Sequence, residues 1–170
     1  LVISTGDFRI HMGQEISRTY DEIWFIKSWA SLKPDLVIST GDFLAHMDAV
    51  PVVLDALDEL LDIPGLFVFG SNDYFAPKPK NPFSYLMKDD GTRRHGEELP
   101  WRGLKVSLEQ LGWIDLTHVK TKIQIKDTLI EARGTDDAHL MRDDYQLVEG
   151  KPKKCDFSIG VTHAPYMRLI

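Results

Sequence analysis

Four short apolar runs in this chain each lead into residues that could bind a metal ion. Asp7 follows Leu1–Thr5 and Gly6, with His11 four positions on; Asp42 follows Leu36–Thr40 and Gly41, with His46 at the same offset. Asn72 and Asp73 come just after Leu66–Phe69, and His163 follows Asp156–Thr162 directly. Carboxylate and amide oxygens suit hard divalent cations, while imidazole suits zinc, iron or manganese, so the mixed set suits a hydrolytic metal site. Each residue also has a plainer reading: Asp42 as the cap of a turn, Asn72 as ordinary loop chemistry, His163 as a structural histidine.

Residues this far apart meet only if the elements before them end at one place. The pattern is strand–helix–strand–helix–strand. Leu1–Thr5 and Leu36–Thr40 read as buried parallel strands. Between them, Glu15–Leu32 carries Ile16, Tyr20, Ile23 and Trp24 at helical spacing and stops at Lys33-Pro34. Asp48 is placed to cap a second helix bearing Val53, Leu54, Leu57 and Leu61, and Ile63-Pro64-Gly65 turns into a third strand, Leu66–Phe69. Ala76–Pro100, with Pro77, Pro79, Pro82 and Pro100, reads as a long excursion with a short helix near Tyr85. Leu104, Leu108 and Leu111 mark another helix stopped at Gly112. Val119–Ile125 and Thr128–Ala132 flank a Lys126-Asp127 turn as a hairpin, and Asp156–Thr162 is a final strand. In open α/β sheets the loops beyond the carboxyl ends of the strands share one crevice, which is where these polar residues would converge.

Bulk properties set limits. A chain of 170 residues suits a single domain over 1–170 with a core of its own. The net charge is −6, so anionic phosphate would need local positive charge, which bound metals supply. The basic run Lys151-Pro152-Lys153-Lys154 has no aromatic residues among it and reads as a solvated loop, so no nucleic-acid partner is expected. Cys155 is the sole cysteine, which excludes an internal disulfide framework or Cys-rich zinc site and suits the expectation of a reducing, cytoplasmic setting. No apolar run reaches the roughly 20 residues of a membrane span. Leu1–Gly6 reads like a strand entered midway, so the chain is expected to be part of something longer. Leu1–Phe8 recurs letter for letter as Leu36–Phe43, with His-Met following at the same offset, which marks a copied segment; no further copies make it a tandem array.

Three segments together carry a family resemblance. Lys33-Pro34-Asp35 followed by Leu36–Asp42 is similar to the Lys-Pro-Asp…Thr-Gly-Asp segment of calcineurin-like metallophosphoesterases. Phe67–Tyr74 resembles their Gly-Asn-His-Asp/Glu loop, and Val161–Pro165 resembles their block in which a strand ends in His with Pro two residues on.

The resemblance implies an α/β fold: a layered calcineurin-like sandwich with a βαβαβ core and a hairpin in a second sheet. It also implies hydrolysis of phosphate esters with two divalent metal ions (manganese, iron or zinc). These would lower the pKa of a bridging water so that hydroxide attacks in line. Carried over by position, Asp42 resembles the bridging carboxylate, and Asn72 and His163 resemble ligands of the second metal. Asp7 and His11 stand where Asp-x-His holds the first metal, but here four positions apart, and aligning His11-Met12 instead puts Arg9 where the Asp belongs. Asp73 takes the place of a histidine that assists the leaving group, and as a carboxylate it could instead orient another group. The family's closing Gly-His-x-His block has no match here, which makes the expected domain incomplete. Gly134–His139 matches a Gly-x-Asp-Asp-x-His stretch of the same lineage and is expected to be a capped turn without a catalytic role. The expected substrate is a phosphate-ester small molecule or phospholipid-like diester. The alternative is a catalytically impaired scaffold or binding module.

Overall fold

In the computed structural model, the described residues are 2–5, 16–77 and 95–169, with side chains described from Ile23 onward. Asp7, Arg9 and His11 lie outside them, as does the expected helix near Tyr85.

Strands β1 (Val2–Thr5), β2 (Leu36–Ser39), β3 (Gly65–Phe67) and β4 (Ile114–Asp115) form one parallel sheet in that order. β1 meets β2 with Val2 opposite Leu36, one residue out of step with the repeated sequence. Helix α1 (Ile16–Trp29) precedes β2 and runs into a 3-10 turn, Ala30–Leu32, that ends at Lys33 in a left-handed conformation (φ 48°) before Pro34. Helix α2 (Ala49–Leu61) joins β2 to β3 and buries Val53, Ala56, Leu57 and Leu60, a stripe at i, i+3, i+4 and i+7. Fully burying each valine or leucine of that stripe contributes about 1.5–3 kcal/mol. The short helix α3 (Ser71–Tyr74) follows β3, and α4 (Trp101–Gln110) precedes β4.

A second sheet holds β5 (Val119–Ile125), β6 (Thr128–Gly134) and β7 (Phe157–Val161). β5 and β6 are the expected hairpin, turned at Lys126 (φ 51°), whereas β6 and β7 pair in parallel. β2 is buried throughout because its faces serve two cores. Val37 points with Phe67 and Phe69 into the layer under α2 and α4, while Leu36, Ile38, Leu66 and Val68 pack against Ile130, Ala132 and Val161 of the second sheet. The result is a helix–sheet–sheet sandwich, the α/β class expected.

Several expectations need adjusting. The third strand starts at Gly65 and ends at Phe67, although the Val68 N–H still donates to the Ser39 carbonyl at 3.1 Å. Asp48 occupies the N-cap position of α2, but its side chain makes no capping bond. β4, two residues long, and the parallel β6–β7 pairing have no periodic signature in the sequence. The ends of the proline-rich excursion are tied together, since Phe75 bridges Glu98 and the Leu99 N–H donates to the Tyr74 carbonyl at 2.9 Å.

Candidate metal centre

The loop after β2 makes a sharp exit. Gly41 has φ 95° and Asp42 has φ 62°, a left-handed conformation that a short polar side chain tolerates better than most. Glycine is required at 41, because a Cβ there would stand 2.6 Å from the Phe69 carbonyl carbon and 3.0 Å from the Val68 oxygen. This turn aims the buried Asp42 carboxylate at the loop after β3. Its Oδ1 accepts the Asn72 backbone N–H at 3.1 Å and its Oδ2 the Asn72 Nδ2 at 2.6 Å. Amide oxygen and nitrogen exchange places by a half-turn of the side chain, so Asn72 can present either to this spot.

His163 arrives from the second sheet. Its Nδ1 lies 2.8 Å from the Thr40 carbonyl. A carbonyl only accepts, so Nδ1 carries the proton and Nε2 carries the lone pair. Nε2 stands 3.7 Å from Asp42 Oδ1. That is longer than a hydrogen bond and close to the roughly 3.3–3.6 Å between two donors on one tetrahedral cation. The donor set therefore fits a divalent ion.

Asp73, expected at a catalytic position, is fully buried and turned away from solvent. Its Oδ2 accepts the N–H groups of Asp42 (2.7 Å) and Gly70 (2.8 Å), and its Oδ1 accepts that of Leu44 (2.8 Å). Burial pushes its carboxyl up to about 7, against these three donors, which favour the ionised form. With both oxygens bound to backbone, Asp73 has nothing to offer a leaving group. Its side chain ties the β2 and β3 loops together. Phe69 and Tyr74 pin the same loop from below, with ring centroids 5.9 Å apart and Tyr74 stacked edge-on to Trp101 at 5.0 Å.

The loop after β6 is the part that sequence reasoning set aside. It is a capped turn as expected: Asp137 Oδ1 accepts the His139 N–H at 3.0 Å and opens the 3-10 turn Ala138–Leu140. Asp136 is buried and takes the Tyr74 hydroxyl on Oδ1 (2.6 Å) and Arg142 Nε on Oδ2 (2.7 Å). Because β6 and β7 are parallel, this loop and His163 leave the sheet side by side, with Gly134 opposite Val161. Asp137, His139 and His163 consequently bring one potential ligand atom each within 4.8 Å of one another. Burial raises the Asp137 carboxyl, opposed by the His139 N–H and the two nearby imidazoles. The Asp-x-His spacing of residues 137–139 was the available signal. His46 stands apart: it is exposed, and its Nδ1 accepts the Asp48 N–H at 3.2 Å.

A family model of calcineurin-like phosphoesterases matches residues 10–167. The chain belongs to that family. Comparison with curated proteins gives no match. The family implies metal-dependent hydrolysis of phosphoesters and the general use of divalent metals. No helix among the described residues is long and apolar enough to cross a membrane.

Proposed function

We propose that this calcineurin-like phosphoesterase chain hydrolyses phosphate esters at the loops after β2, β3 and β7, with Asp42, Asn72 and His163 holding a divalent cation. The reading rests on one observation: Asp42 Oδ1 and His163 Nε2 face each other at 3.7 Å, beyond hydrogen-bond reach. Divalent ions bound there would neutralise phosphate charge and lower the pKa of a bound water.

The chain's own part is orientation. Thr40 fixes the His163 ring through Nδ1, and Asp73 fixes the Asp42 backbone through its N–H. Asn72 contributes a neutral ligand that leaves net positive charge on the ion for the substrate phosphate. Asp42, with two anionic oxygens, is the residue suited to bridge to a second ion. Asp7 and His11 are proposed ligands of that second ion on the family resemblance alone. Manganese, iron or zinc is the proposed metal class, and a phosphate monoester or phospholipid-like diester the proposed substrate.

The test is turnover of bis-p-nitrophenyl phosphate with added manganese, alongside metal content after purification. Asn72→Ala and His163→Ala are expected to cut turnover by orders of magnitude. Unchanged rates would sink the site assignment, and near-zero metal with no turnover in the parent chain would favour a scaffold role.

A further inference from the structure

One buried carboxylate oxygen, Asp137 Oδ2, has no hydrogen-bond partner among the described residues, and the Asp137 residue is 0% exposed. Leaving such a group unsatisfied costs about 1–3 kcal/mol, more when it is charged. Such an atom calls for an explanation, and a bound ion is one that also suits its neighbours. The other oxygen, Oδ1, is held by the His139 N–H, so the carboxylate cannot swing to find a new partner without undoing the turn.

The surroundings are those of a metal ligand set. His139 Nδ1 lies 3.0 Å from the Tyr166 hydroxyl and His163 Nδ1 lies 2.8 Å from the Thr40 carbonyl. Ligating histidines are typically held through their other ring nitrogen in this way. Arg168 braces the segment, donating from Nη2 to the Ala138 carbonyl (3.0 Å) and through both Nε and Nη2 to Asp143 (2.7 Å each). An open pocket of about 480 Å³ lies against His139, His163, Pro165 and Tyr166.

We propose that Asp137 and His139 join His163 as ligands of one divalent transition-metal ion, with an exchangeable position facing the pocket beside Tyr166. With Asp42 and Asn72 the set comprises two imidazoles, two carboxylates and an amide oxygen, and the imidazoles favour zinc, iron, cobalt or manganese over calcium or magnesium. The three donors lie within 4.8 Å of one another, and exposed His139 is the side chain with room to close the remaining gap. One ring nitrogen binds one ion, so this is the ion placed on His163 above. The inference rests on that reading for the ion's position and supplies further ligands for it.

The experiment is a Co²⁺ titration of the purified chain followed by its visible d–d absorption, which reports coordination number. His139→Gln and Asp137→Asn are each expected to weaken Co²⁺ binding at least tenfold and to change the band. His139→Ala is expected to recover the band when free imidazole is added, a rescue that a purely structural histidine would not show. His139 is exposed, so its variants answer the question even if Asp137→Asn melts early. Titrations of both His139 variants identical to wild type would overturn the proposal, as would failed rescue of a folded His139→Ala. Loss of binding in Asn72→Ala with no effect at His139 would leave the Asp42–Asn72–His163 reading standing alone. The converse would retain the Asp137–His139–His163 site and remove Asn72 from it.

Discussion

Replacing Gly70 with alanine puts a methyl group where the two halves of the candidate centre meet. A Cβ on residue 70 would stand 2.6 Å from both Cε1 and Nδ1 of His163 and closer still to Asp42 Oδ1. Neither neighbour is a flexible chain end: Asp42 is 0% exposed and His163 is anchored to Thr40. Restoring ordinary contact therefore moves the imidazole or the carboxylate by about 1 Å. Forcing volume into a packed site costs typically about 1–3 kcal/mol. At about 2–4 °C per kcal/mol for a chain of this size, Tm should fall by roughly 2–12 °C. The functional loss should be larger, since ligand distances tolerate only about 0.2 Å and a displacement of about 1 Å in a site can cost about 100-fold. Manganese affinity by calorimetry and phosphodiester turnover are the measurements, with Gly160→Ala as control, because a Cβ there meets nothing within 4 Å. A folded Gly70→Ala protein with the metal affinity and Tm of the Gly160→Ala control would refute the reasoning.

Three further outcomes are expected. Gly103→Ala, at an exposed position of α4 with nothing within 4 Å of its Cβ, should stabilise the protein by about 0.5–1 kcal/mol, read as a higher Tm. Tyr74→Phe should cost about 0.5–1.5 kcal/mol in urea unfolding, because Asp136 Oδ1 loses its 2.6 Å hydroxyl donor in a buried place but keeps the Asp137 N–H at 2.7 Å. Arg168 binds both Asp143 oxygens and holds that carboxyl below its usual range. A depressed folded pKa adds stability that is present above the unfolded value of about 3.9 and is lost as pH falls through the folded one. Asp143→Asn should therefore be less stable than wild type at pH 5, with the gap narrowing by pH 3. An equal gap at both pH values would count against the pairing.

Residue types and periodicity were enough to place α1, α2, α4, the β5–β6 hairpin and the strand before His163. These are local patterns of burial, and they can be read wherever one face of an element meets a core. Asp42, Asn72 and His163 stood out for a related reason: each follows an apolar strand, where a polar residue has to leave the sheet. Their meeting is another matter, because Thr40 and His163 touch across 123 residues through two stacked sheets. Strand order and register set that contact, and neither is written in side-chain periodicity. Asp73 shows the limit most plainly. Its neighbours in sequence suggested a residue facing substrate, yet three backbone N–H groups from two loops turn it inward. The sequence alone determined the chemistry on offer: carboxylates, an amide and imidazoles at strand ends. The tertiary structure decided which of them lie together, because parallel pairing of β6 with β7 sends Asp137 and His139 out beside His163, with one potential ligand atom from each within 4.8 Å of the others.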